Sequence, residues 1–185
     1  MAERIDTSYR FGAGRYIQEQ DALDHSGEEV LRFGKKPYVI GGPRALKAAG
    51  ERMIKSFHNA GLDYIIEEFP GYPSVQKIDR LKRTVHDDNC DAIVAVGGGR
   101  IMDLAKAAAS KLRLPIVAVP TQAATCAAFS PLSVLYTPEG KSDTYIHFEQ
   151  EVNAVLAAIS RRLMLSSVSL LTCPFSREAS RIRLL

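Results

Sequence analysis

Three consecutive glycines, Gly97, Gly98 and Gly99, separate an apolar run at 92–96 from an alanine-rich run at 101–112. The first run reads as a buried strand and the second as a helix. Glycines in that turn leave no side chain in the way of an approaching group and permit backbone angles that other residues resist. The helix behind them points unpaired N–H groups, and the positive end of its dipole, into the same space. That combination is a cradle for phosphate. The motif is neither G-x-G-x-x-G nor a P-loop ending in G-K-[S/T]. A strand-to-helix turn with no ligand would use the same residues.

The next segment argues for the ligand. A second apolar strand at 116–119 ends at Pro120, and beyond it hydroxyls at Thr121, Thr125, Ser130 and Ser133 alternate with small residues. In open α/β sheets ligands bind outside the carboxyl ends of the strands. The glycine turn and the hydroxyl-rich loop both fall at such ends, on consecutive strands.

The elements needed to position them are legible as an alternation. Helices are expected near 18–33, 43–61, 74–88 and 100–113, and strands near 37–41, 63–68, 92–96, 116–119 and 132–136. Strands spaced by helix-length segments predict a parallel sheet covered on both faces, a Rossmann-like α/β fold. Gly61 is placed to close the second helix as a C′ glycine. Ser74 is placed to cap the third after a turn-rich connector at 69–74.

The composition narrows the function classes. At 185 residues the chain can bury a sizeable core. A net charge of +3 implies neither a nucleic-acid nor a membrane partner. No apolar run is long enough to span a bilayer, and the first residues lack a signal core. Cys90, Cys126 and Cys173 form neither a disulfide framework nor a C-x-x-C pair, which suits a reducing cytoplasm. His25, His58, His86 and His147 show no metal-ligand spacing and read as surface or satisfied histidines. Glu67, Glu68, Asp87 and Asp88 read as solvated ends of elements.

Residues 38 to about 157 resemble the glycerol dehydrogenase-like branch of the iron-containing (metal-dependent) alcohol dehydrogenases. The motifs are Gly97-Gly98-Gly99-x-x-x-Asp103-x-Ala105-Lys106, then Val119-Pro120-Thr121, then Pro131-Leu132-Ser133-Val134-x-Tyr136. The resemblance implies an NAD(P)-binding amino-terminal domain of the dehydroquinate synthase-like kind. It implies that Gly97, Gly98 and Gly99, with Arg100, face the pyrophosphate, and that Thr121, Thr125, Ser130, Leu132 and Tyr136 lie along the nicotinamide half. Asp103 and Lys106 match the family pattern. The resemblance thereby counts Asp103 among the cofactor-binding residues, although on its own chemistry it could equally be a first-turn carboxylate paired with the helix dipole, and Lys106 an ordinary exposed charge.

Two departures bear on specificity. Glycerol dehydrogenases carry an aspartate where this chain has Cys126, and the run around it looks more like the hydroxycarboxylate dehydrogenase subgroup. Loss of a carboxylate beside the substrate suits an anionic substrate, so Cys126 is expected either to face substrate or to be a small buried packing residue. The strand at 37–40 ends in Gly41-Gly42-Pro43-Arg44, with Lys47 close by. An acidic residue at such a strand end commonly holds the ribose hydroxyls. Glycine there favours NADP over NAD, although Gly-Gly-Pro also serves to start a helix.

The text changes character at about residue 158. Residues 158–185 carry five arginines and a single acid, Glu178, and neither aspartate nor histidine follows His147. The resemblance implies a second, helical domain in which one aspartate and two histidines bind zinc or iron, and none of these ligands can be placed here. The expectation is a domain at 1–157 with the second domain missing, no metal of its own and no turnover alone. Exposure of the surface meant for that domain predicts self-association. A shifted reading frame across 178–185, with a suitable choice of codons, yields Gly-Ile-Ala-Asp-Thr-Leu-Ala, which resembles the family's metal-binding segment. An out-of-frame tail is therefore expected, the alternative being a genuine Arg/Ser-rich extension.

Overall fold

The computed structural model describes residues 13–122, 126–137 and 139–158. Eight strands and four helices follow one another as β1 (Arg15–Glu19), α1 (Ser26–Leu31), β2 (Pro37–Gly41), α2 (Pro43–Asn59), β3 (Ile65–Glu68), α3 (Val75–Asp87), β4 (Ala92–Gly97), α4 (Gly99–Leu112), β5 (Ile116–Pro120), β6 (Leu132–Tyr136), β7 (Ser142–His147) and β8 (Ala154–Ala158). A short 3-10 turn, Cys126–Ala128, lies between β5 and β6.

Six strands form one parallel sheet in the order β1-β8-β5-β4-β2-β3. Its central strands are apolar on both faces, because helices cover both. Tyr38, Ile40, Ile93, Ala95, Ile116, Ala118 and Val155 turn toward one layer, with Ile78 and Leu81 of α3 and Met102, Leu104 and Ala108 of α4. Val39, Val94, Val96, Val117, Val119 and Leu156 turn toward the other, with Val30 of α1 and Met53 and Phe57 of α2. From β2 the chain runs outward to β3, then returns past β2 to β4 and continues to β5. A constant crossover hand puts helices of opposite travel on opposite faces. Helix α2 therefore leaves β2 on one side, and α4 leaves β4 on the other. The gap between the carboxyl ends of β2 and β4 is the switch point of the sheet.

Several expectations are refined here. The helix expected over 18–33 is the end of β1, a run of turns, and a helix of six residues, Ser26–Leu31. The strand at 132–136 exists, but it pairs antiparallel with β7 in a separate hairpin. Strands β1 and β8 complete the parallel sheet beyond β5. Ser74 occupies the N-cap position of α3, yet its side chain makes no capping bond. Glu67 is no solvated end: its carboxylate accepts from the buried Tyr38 hydroxyl and from Arg80. Desolvation, followed by that bond to Glu67, pushes the Tyr38 phenol well above its usual value. The four histidines are exposed, as expected. Among the described residues no helix is long and apolar enough to cross a membrane. The expectations for 159–185 lie outside the described residues.

The close of α2 follows its sequence. Gly61 has φ of 68°, its N–H bonds to His58 O at 3.1 Å, and Leu62 N–H bonds to Phe57 O at 3.0 Å. This is a Schellman motif with its apolar contact between Leu62 and Phe57. Replacing Gly61 by alanine forces a Cβ into the left-handed region and should cost about 1 kcal/mol in a urea titration, with an unchanged m value.

Candidate functional site

The residues singled out by motif converge at the switch point. Gly41 ends β2 and Gly97 ends β4, and the Gly42 amide crosses between them to bond Val96 O at 3.1 Å. Gly97 pairs in turn with Pro120 at the end of β5, and the Thr121 amide bonds Gly97 O at 3.0 Å. Three strand ends are thereby tied into one rim.

The first two glycines of the triplet have different reasons to be glycine. Gly97 adopts φ of 154°, and a Cβ built on it would stand 2.9 Å from Ile101 Cγ1. Its lack of a side chain lets α4 descend onto β4. A Cβ on Gly98 would meet the Gln122 amide oxygen at 2.6 Å, the far end of a flexible side chain. Gly98 is the N-cap of α4 and offers no side-chain cap, although its carbonyl accepts from Ile101 and Met102. Gly99 and Arg100 form the first helical positions, so their amides point out of the helix start toward the crevice between Gly42 and Gln122.

Behind the rim lies a charged pair whose arrangement rules out the plainer alternative for each residue. Helix α4 begins at Gly99, which puts Asp103 in the second turn and beyond a first-turn dipole role. Lys106 is buried, with 4% of its surface exposed, and so is no ordinary surface charge. Its ammonium lies 3.5 Å from the Asp103 carboxylate and donates to Ser130 O at 3.0 Å and to Leu132 O. The Val134 amide also favours the charged form of Asp103. The Ser133 hydroxyl lies beside it, buried and without a partner of hydrogen-bonding geometry among the described residues. Desolvation raises the Asp103 pKa against the pull of Lys106, and desolvation lowers that of Lys106 against the pull of Asp103. The pair fixes the entry of β6 to α4.

A second bridge runs over the outside. The Arg100 guanidinium sits 4.7 Å above the Tyr72 ring, whose centroid is 5.3 Å from that of Tyr136. The Tyr136 amide bonds Pro73 O at 2.8 Å. Connector 69–74, the start of α4 and the end of β6 thus form one ledge beside the crevice. Tyr72 and Gln122 were not singled out by sequence. The only signal for Tyr72 was its place between two prolines in the connector.

The other candidates place as follows. Thr121 is exposed on the rim, and Ser130 and Leu132 are half-buried on the segment held by Lys106. Cys126 is an exposed free thiol at the start of the 3-10 turn. Thr125 lies outside the described residues. Arg44 and Lys47 are exposed on the first two turns of α2, and the Glu68 backbone stands in register with Gly41 across the sheet. Among the described residues no three His, Cys, Asp or Glu side chains come close enough to hold a metal ion. Two surface depressions lie elsewhere, one on the outer face of α3 and one between α2 and β3.

Comparison with known proteins agrees with this geometry. Residues 13–160 match the family described as iron-containing alcohol dehydrogenase. A glycerol dehydrogenase of Escherichia coli O6:H1 is 38% identical over 143 residues, covering 77% of this chain and 39% of that protein. Hydroxycarboxylate dehydrogenase A of Escherichia coli K12 is 42% identical over 110 residues, covering 60% of this chain and 29% of that protein. The crystal structure of glycerol dehydrogenase from Schizosaccharomyces pombe superposes with a TM-score of 0.73 at 28% identity, covering 82% of this chain and 38% of that one. The chain spans about two fifths of the length of the glycerol dehydrogenases it matches. With the glycine rim, the parallel sheet and the family match over most of its length, the chain belongs to the iron-containing alcohol dehydrogenase family, in its glycerol dehydrogenase-like branch.

Proposed function

We propose that this chain is the nucleotide-binding half of an NAD(P)-dependent oxidoreductase, in which hydride passes between a nicotinamide and a small hydroxy acid or polyol. The observation that carries the reading is the uncapped start of α4 beside Gly97 and Gly98 at the switch point of a parallel sheet. In this reading the Gly99 and Arg100 amides take the pyrophosphate, Gly41 admits the adenosine ribose, and Thr121, Thr125, Ser130, Leu132 and Tyr136 border the nicotinamide. The cofactor supplies the hydride chemistry, and the protein supplies binding and orientation. Cys126 faces the substrate, and the likeness to a hydroxycarboxylate dehydrogenase supports an anionic one.

NADP is the favoured form. Gly41 offers no carboxylate to the ribose, while Arg44 and Lys47 stand exposed within the first two turns of the next helix. Glu68, in register with Gly41, opposes them. NADPH should therefore bind more tightly than NADH. Arg44→Ala with Lys47→Ala should abolish that preference by weakening NADPH about tenfold, and Glu68→Gln should widen it. Calorimetric titration of both nucleotides reads this directly, and tighter NADH binding by the unaltered chain would contradict it.

A second reading is a nucleotide-binding protein without turnover, for which the cradle alone would suffice. Incubation with zinc or iron, NADPH and a 2-oxo acid separates the two. Oxidation of NADPH by this chain alone would overturn the second reading, and nucleotide binding without turnover would support it.

The two rim glycines give a paired test of the cradle. Gly97→Ala should destabilise the fold by about 2 kcal/mol or more, because φ and the Ile101 contact are both violated. Gly98→Ala should fold nearly as well, since Gln122 can swing away, yet bind NADPH at least about tenfold more weakly by crowding the amides. Full NADPH affinity in Gly98→Ala would count against the cradle.

A further inference from the structure

We infer that Lys106 is a positioning residue that shapes the wall facing the nicotinamide, an inference that rests on the nucleotide-binding reading above. A lysine ammonium has three donors and no acceptor. Here its neighbours are the Asp103 carboxylate and the carbonyl oxygens of Ser130 and Leu132. Burying a charged pair costs several kcal/mol per ion in desolvation, and well-packed apolar residues often serve stability as well or better. The arrangement achieves something an apolar pair cannot: it binds the backbone of a segment just where that segment enters the separate hairpin. Residues 130–131 follow the 3-10 turn and precede the separate hairpin, so no strand of the main sheet orders them. The Val134 amide, whose nearness favours the charged form of Asp103, places the carboxylate against the same segment.

One helix therefore carries both ends of the proposed site. Its first turn presents free amides to the phosphates, and Asp103 and Lys106, lying about 6–10 Å further along the axis by helical rise, hold the segment that borders the nicotinamide. A displacement of that segment alters contacts to the nicotinamide half of the ligand and leaves the adenosine and phosphate contacts in place. This separates a positioning role from general stabilisation, which would weaken all parts of the ligand together.

The test compares two ligands on the full chain: NADPH, and 2′-phospho-ADP-ribose, which lacks the nicotinamide. The principal variant is Lys106→Met combined with Asp103→Asn, which removes both charges and leaves no unpaired one behind. The unaltered chain should bind NADPH about tenfold more tightly than the fragment, and the double variant should bind the two equally, with its fragment affinity unchanged. Amides in 132–136 should exchange faster in the double variant, while those of β4 remain protected. Parallel weakening of both ligands, a preserved tenfold ratio, or unchanged exchange in 132–136 would overturn the inference. Lys106→Gln, which keeps a donor without charge, serves if the double variant does not fold, and an unchanged ratio with unchanged exchange in it overturns the inference equally. If the unaltered chain binds neither ligand, the nucleotide-binding reading itself fails, and the exchange comparison still decides whether Lys106 holds this segment.

Discussion

The closeness with which helix α4 approaches strand β4 governs the whole carboxyl edge of the sheet. That approach exists because Gly97 has no Cβ and takes φ of 154°, letting Ile101 pack where a side chain would otherwise stand. A helix held farther off would point its free amides away from the crevice. The Thr121 amide would lose its partner at Gly97, and Lys106 would no longer reach the carbonyls of Ser130 and Leu132. One backbone conformation at one residue thus couples the strand ends, the helix start and the segment beyond β5.

The rest of the sheet serves to hold that contact still. Strand β4 is central, flanked by β2 and β5, and buried along its whole length. Two apolar layers press on it from opposite faces, so displacement of β4 would open both. Functional groups gathered on loops above a rigid strand edge are the usual way in which α/β folds separate stability from recognition.

Much of this was legible in the sequence. Strands β2, β4 and β5 are short apolar runs bounded by Gly or Pro, and helices α2, α3 and α4 begin and end within about two residues of the expected places. The glycine triplet and the resemblance it carries led to the family. What failed had physical causes. Strand β1 alternates too little to announce itself, with four of its five residues exposed at the sheet edge, and it was absorbed into an imagined helix. Strand β8 takes its place only by pairing with β1 and β5, which are distant in sequence. Lys106 looked like a surface lysine because one sequence cannot reveal that the chain returns at 130–134 to bury it. Glu67 was misread for the same reason, since its partners Tyr38 and Arg80 come from other elements.

The most direct test of the account is an amide chemical-shift titration of this chain with NADPH. If the glycine rim is the phosphate cradle, the largest and saturable shifts fall on Gly98, Gly99 and Arg100 and on Gly41 and Gly42, with smaller ones at Thr121 and Ser130. Shifts confined to the groove between α2 and β3, at Leu46, Gly50 and Ile54, or no saturable shift at millimolar nucleotide, would contradict it.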